Sequence, residues 1–465
     1  MNAKNSKISR RAFLRAAGTG LVATGLTPLI QACGNGTPVA ATTAPAGVAP
    51  AAFKFMAKPN SYPGKSLRIA MVAEPKPVLL KSVVSEFEAL TGAKIEFEDL
   101  PYPTLQEKQL TSLTQATGAY DLVHVDCTWM GQYAGQGWII DIKDLVAQTD
   151  PSYLDIQDFV PRLTEEMNIW EGEWYGLPFD TSIMMAYYRK DLLEKYSLQP
   201  PQTWDEFYEA AKTITEKEKA NGVYGLTLMA KRGVQLSATW DNILGSYGGY
   251  FYDKNFKATL DSDAAIQSLE MLVKLVSVCN PGSLAQDYDE GDAAFAGGNA
   301  AMFMQWNDSI PRYRDPGYSK IIDKWNADLT PGVKQSDGSI KRSPCIGGWN
   351  VGISADSKNQ ELAWEFLLWA VSKDMEKRLA VAQPPARNSI LTDPAVVAQY
   401  PEYDPMMKSL ELAFGRPRIK VATQIMDNVE AALSSAVIGE VSPGDALKQV
   451  NPIVDNILKE AGFQG

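Results

Sequence analysis

Chemistry that needs an imidazole has one starting point here, because His124 is the only histidine in 465 residues. It lies in the apolar run 121–125, which reads as a strand and favours a packing role. A Ser-His-Asp or Cys-His device would have to use it, and no nucleophile-elbow motif is near it. No H-E-x-x-H, Walker A or G-x-G-x-x-G motif occurs, which disfavours zinc hydrolysis, phosphoryl transfer and dinucleotide chemistry. Carboxylates are plentiful, with 55 Asp and Glu. A pair placed for glycoside hydrolysis therefore stays open as an alternative. Any acidic chain of this length offers such pairs by chance. No catalytic residue, metal ligand or cofactor is assigned, and the chain is not expected to be an enzyme.

The informative residues are tryptophans. Four of the 11 stand beside Asp or Asn near predicted strand ends. Trp129 has Asp126 close by, Trp240 has Asp241 and Asn242, Trp306 has Asn307 and Asp308, and Trp349 has Asn350. An indole offers a flat face to the C–H surface of a sugar, and carboxylates and amides take its hydroxyls. Ligands of open α/β sheets sit beyond the carboxyl ends of strands. Trp204, Trp364 and Trp369 fall on helical patterns and are expected in the core. Stacking needs no ionisation, so binding is expected to vary little between pH 6 and 8.

Positioning these residues requires strands that alternate with helices. Residues 67–72 (LRIAMV) read as a buried strand, and Val78, Leu80, Val83, Val84, Phe87 and Leu90 recur at helical spacing up to the Gly92 stop. Residues 94–98 alternate as a strand, 104–116 are amphipathic, and 121–125 read as the next strand. After Gly176 the pattern resumes with strands at 182–188, 223–229, 300–304 and 349–353. Thr203 and Glu206 form a capping box opening a helix to about Lys219. Helices are predicted over 261–278 and 361–380, and a last one begins at Ser442-Pro443. Trp240 is read as opening a Gly/Tyr-rich segment. The alternation predicts an α/β fold with a mainly parallel sheet.

The N-terminus reads as an address. Ser9-Arg10-Arg11-Ala12-Phe13-Leu14, followed by a mildly apolar run to Ile30, resembles a twin-arginine export signal. Ile30-Gln31-Ala32-Cys33 resembles a lipobox, which makes Cys33 the expected lipidation site and anchors the protein outside the cytoplasm. Residues 34–65 are Ala/Pro/Thr-rich and are expected to be a flexible tether. Removing Lys4, Lys7, Arg10, Arg11 and Arg15 with the signal takes the formal charge from −11 to −16. Such a body disfavours nucleic acid as a partner. Cys127, Cys279 and Cys345 cannot all pair, and no C-x-x-C spacing suggests zinc.

From about Leu67 to Leu458 the chain resembles the extracellular solute-binding proteins of bacterial ABC importers, in the sugar-binding group that includes maltose-binding protein. Residues 87–97 (FEALTGAKIEF), 120–142, 174–193, 203–207 (TWDEF), 294–302 (AFAGGNAAM), 347–366 and 385–389 (PARNS) carry the resemblance by their order and spacing. It implies two α/β lobes joined by crossing hinge segments, a ligand cleft between them, closure on binding and docking onto permease subunits. The expected division is 66–180 with 350–385 for lobe 1, and 181–349 with 386–465 for lobe 2. By position it implies ligand contacts at Glu74, at Thr128 and Trp129, at Asp180, Thr181 and Ser182, and at Gln235, Ser237 and Trp240. It also implies a stacking role for Trp306, Trp349 and Asn350 beside a crossing strand, and Arg387 near the hinge. Ser182 stands where the maltose-binding pattern has a carboxylate and Ser237 where it has an aromatic, which leaves the sugar open. The expectation is a monomeric receptor for a carbohydrate or polyol. The alternatives are a tethered hydrolase and a receptor for a non-sugar ligand such as a polyamine.

Overall fold

A computed structural model describes residues 54–55 and 59–464. The export signal, Cys33 and most of the expected tether lie outside the described residues. The tether's last part departs from expectation. Phe55 is 1% exposed and bridges to Thr149. The Asn60 and Tyr62 amides donate to the carbonyls of Leu90 and Thr91. A large ring and a run of backbone hydrogen bonds therefore dock this stretch, although its average composition reads as linker. Among the described residues no helix is long and apolar enough to cross a membrane.

Two five-stranded sheets organise the fold, with helices packed on both. In the first, Ser66–Val72 pairs in parallel with Lys94–Leu100 and with Leu122–Asp126. Trp349–Ile353 and Leu177–Pro178 complete it, each antiparallel to its neighbour. Ile69 and Met71 face one apolar cluster and Ala70 and Val72 the other, as strand alternation requires. The second sheet is built around Ser182–Arg189, antiparallel to Ala300–Trp306, to Trp325–Asp328 and to Ile346–Gly347. Only Tyr224–Thr227 pairs in parallel there. The expected mainly parallel sheet thus holds for the first three strands, and the second sheet is mostly antiparallel.

The predicted boundaries of the early elements hold to within a few residues. Gly92 closes the helix Pro75–Thr91 at φ 77°, and the Thr203–Glu206 capping box is formed. The single helix predicted over 361–380 is two, Gln360–Ala370 and Lys373–Leu379, because Ser372 caps the second through the Met375 amide. Trp240 lies in the middle of a helix, Val234–Tyr247, rather than at the start of a loop.

The chain passes between the sheets at 179–181 and again at Gly348, and a third segment, 383–386, is tied to the first. Thr181 donates through its amide to Pro384 and through its hydroxyl to Pro385. Gln383 donates to Asp180 at 2.9 Å. Behind them, the fully buried Lys76 donates to the Phe179 carbonyl and pairs with Glu376 at 2.9 Å, and Glu376 accepts the Ala386 amide.

Candidate functional site

The two sheets are joined at these crossings. Because Trp349–Ile353 runs antiparallel to Leu122–Asp126, its first residue lies opposite the last of its neighbour, in the register Trp349–Asp126. The carboxyl ends of the first strands and Trp349 therefore share one edge. From the second sheet, Trp306 ends its strand opposite Met184.

Aromatic rings floor this edge. Trp349 stacks on His124 at 4.3 Å and 19° and meets Trp129 edge-on at 5.8 Å. Tyr102 packs against both indoles, at 5.0 Å and 5.7 Å. The sole histidine thus backs an indole. Burial and then Lys76 hold its pKa well below the usual range, so it stays neutral. Trp306 donates its indole N–H to Gln235 at 2.7 Å. Its ring lies over Gly347, where an added Cβ would sit 2.8 Å from it and 3.5 Å from the Ser182 hydroxyl.

Carboxylates rim the floor in two groups. In one, Glu74, Asp180 and Asp308 converge. Burial pushes the Glu74 carboxyl well up, followed by the charges of Asp308 and Asp180, while Arg312 and a hydrogen bond from Trp349 oppose the rise. Asp180 accepts the Trp349 amide at 3.2 Å and is pushed up to about 7 by burial, against the pull of Lys76. Asp308 accepts the Tyr288 hydroxyl at 2.6 Å and rises to about 6 by burial. Glu74 Oε2 is buried and accepts no hydrogen bond among the described residues.

The second group surrounds Arg416, which is 4% exposed. Its guanidinium stands 4.0 Å from Asp126 and 3.7 Å from Asp241. Asp126 also accepts the Thr128 amide and hydroxyl at 2.8 and 2.7 Å. Burial pushes Asp241 up to about 7, with Arg416 opposing. Glu430 rises to about 7 for the same reason. Burial thus raises several carboxyls here, and their charge, beside ring stacking, enters the expected pH dependence between 6 and 8. Arg416 belongs to a segment that runs between the two sides. Phe414 donates to Pro344, and Arg418 donates to the Glu165 and Ile169 carbonyls. This segment passes so close to Gly131 that an added Cβ there would lie 1.8 Å from the Arg418 carbonyl oxygen.

Contacts thus tie Glu74, Asp180 and Trp129 to Trp349, Asp126 (with Thr128) and Asp241 to Arg416, and Gln235 to Trp306, with Ser182 beside Trp306 across Gly347. Thr181 belongs to the crossing itself. Asn307 and Asn350 stand behind it with their amides engaged. Asn307 holds the Ile183 amide and Thr181 carbonyl, and Asn350 holds Asn168 and the Tyr175 carbonyl. Two assignments are corrected. Trp240 is buried beside Phe251 and donates to Ser268 at 2.9 Å, within a helix–helix core. Arg387 lies over Phe159 at 4.2 Å and donates to the carbonyls of Val371, Asp155 and Leu154. It braces the third crossing segment and is turned to structure. Tyr102, Arg312, Arg416 and Glu430 were not singled out from sequence. They come from segments with no aromatic–amide pattern, and only the fold brings them here.

A family model described as bacterial extracellular solute-binding protein matches residues 73–377. A solute-binding protein of an ABC transporter from Agrobacterium radiobacter K84, solved in complex with ribitol, superposes with a TM-score of 0.79 at 29% identity, covering 86% of this chain and 100% of that one. Another from Agrobacterium vitis S4, with bound D-mannitol, gives 0.77 at 26% identity, covering 86% and 99%. A probable amino-acid ABC transporter periplasmic-binding protein of Sinorhizobium fredii is 24% identical over 412 residues, 87% of this chain and 92% of that protein.

Proposed function

This chain belongs to the bacterial extracellular solute-binding protein family, and on that premise we propose that it captures a small polyol or sugar and delivers it to an ABC permease. The observation that carries the reading is the lining where the two sheets meet. Three indoles and a tyrosine, tilted or edge-on to one another where they touch, give an apolar lining, and buried carboxylates with unused acceptor capacity rim it. Hydroxyls are the groups that satisfy such acceptors while their carbon chain lies on the rings. The ribitol and mannitol carried by similar proteins fit the same chemistry.

The mechanism is capture and release without bond making. Trp306 is 6% exposed, Trp349 6% and Trp129 2%, so a ligand reaches them only when the lobes separate. Lobe 1 comprises 66–180 with 350–385, and lobe 2 comprises 181–349 with 386–465. They move about the tied crossings at 179–181, 348 and 383–386. A ligand shifts that equilibrium by its extra affinity for the closed form, which requires contacts from both lobes. Twin-arginine export and lipidation at Cys33 would hold the monomeric receptor at the outer face of the membrane, beside its permease.

Thermal-shift screening with ribitol, D-mannitol, maltose, other sugars and polyamines tests the reading. A ligand that binds only the folded form raises the unfolding temperature, by about 2.7 kcal/mol of stability at a hundredfold excess over Kd. A polyol or sugar is expected to give the largest shift. A shift with polyamines alone would sink the proposal, and so would hydrolysis of an oligosaccharide during incubation.

A further inference from the structure

The surroundings of Arg416 carry the reading further, to the part of the ligand that is recognised. Asp126 comes from the first sheet and Asp241 from a helix packed with the second, and both are almost fully buried, at 6% and 0% exposure. Between them stands Arg416, yet its approaches of 4.0 and 3.7 Å are too long for hydrogen bonds. Arg416 Nε donates to nothing and Asp241 Oδ1 accepts nothing among the described residues. In each case the oxygen nearest the guanidinium also takes a thiol, Cys127 at 3.6 Å from Asp126 and Cys345 at 3.8 Å from Asp241. Among the described residues, what remains without a partner is the Arg416 Nε and the second oxygen of Asp241.

Buried charged groups set this way are costly unless other polar groups complete them. A hydroxyl is suited to the gap, because it accepts from arginine and donates to a carboxylate at once. Two adjacent hydroxyls match the fork of a guanidinium and reach both acids. A carboxylate ligand would also match the fork, but it cannot donate, and it would enter beside Asp126, Asp241 and Glu430 with one arginine to offset three acids. We propose that Arg416, with Asp126 and Asp241, is the specificity-determining centre that reads a terminal vicinal diol of the ligand. This rests on the polyol reading above. Because its three groups come from both sides, the diol also links the lobes.

The test is calorimetric titration of the full chain and its Arg416→Lys and Asp241→Asn variants. The probes are ribitol and D-mannitol, their dideoxy analogues lacking both terminal hydroxyls, and L-amino acids. Removing both ends prevents a flipped ligand from hiding the loss. The wild-type chain is expected to favour a polyol over its dideoxy analogue at least a hundredfold. Arg416→Lys keeps the charge but not the fork, and should cut that ratio at least tenfold while binding of the dideoxy analogue changes less than threefold. Asp241→Asn, nearly isosteric, should cut it in the same direction and guards against a folding defect in the lysine variant. An undiminished ratio in both variants would overturn the diol assignment while leaving the polyol reading intact. Binding of an L-amino acid that Arg416→Lys abolishes would also overturn it. No binding of any polyol or sugar by the wild-type chain would remove the functional reading, and the inference with it.

Discussion

Asp292 and Asp241 are both completely buried aspartates, and they live in opposite circumstances. Asp292 accepts from Gln305 at 3.0 Å, Ser309 at 3.0 Å, Arg312 at 2.9 Å and Tyr313 at 2.5 Å. Asp241 has a thiol at 3.8 Å, an arginine at 3.7 Å and one oxygen without a donor. Equal burial therefore says little about role. A saturated carboxylate organises the protein around itself, and an unsaturated one keeps its acceptors for something that arrives later.

The sharpest way to break this contrast is to remove the saturated acid. Asp292→Ala leaves Arg312 short of its buried partner and three other donors unmatched, and should cost about 3–5 kcal/mol in urea unfolding at pH 7. A loss below about 1 kcal/mol would put Asp292 among the unsaturated groups. Next in size, Trp306→Ala removes an indole from the floor. Calorimetry on the folded variant should find polyol binding at least tenfold weaker, or about 1.4 kcal/mol, and unchanged affinity would take Trp306 out of the site.

Acidity separates the two aspartates more finely. Asp241 has a native pKa of about 7, above its ordinary value of 3.8. As pH rises from about 4 to about 7 the unfolded chain gives up this proton while the native one keeps it, so the Asp241 contribution to stability is lost across that window and is level above it. Asp241→Asn should gain stability relative to wild type as pH climbs through this range, read as the difference between their unfolding temperatures. A difference that is flat with pH would contradict the assignment. A ligand hydroxyl donating to the carboxylate should bind more tightly toward pH 7.5 than at pH 5.5. The smallest effect belongs to Trp240→Phe, which trims a core ring and loses the Ser268 hydrogen bond. Polyol affinity should stay within twofold, and a tenfold loss would return Trp240 to the site.

Much of this architecture is legible in the chain. The early strands and helices declare themselves by periodicity, and Asp126, Trp129 and Trp349 follow from the rule that ligands gather at strand ends. Trp349 comes to the strand ends through an inversion that no local pattern reveals. It begins its strand, and only antiparallel pairing carries it to the shared edge. Trp240 fails for a local reason, because the glycines and tyrosines after it hide the helix in which it is buried. Arg387 resembles a charged hinge contact in sequence, but its donors are spent on backbone carbonyls. Arg416 sits in the stretch 415–418, with no helical or strand period, so long-range packing alone gives it meaning.

Gly131 supplies a last consequence. With the Arg418 backbone pressed against it, the smallest possible side chain would act as a doorstop between the Met130–Gly135 helix and the segment passing over it. Alanine at this position offers a way to push that segment off the helix while Asp126, Trp129 and Arg416 keep their own side chains.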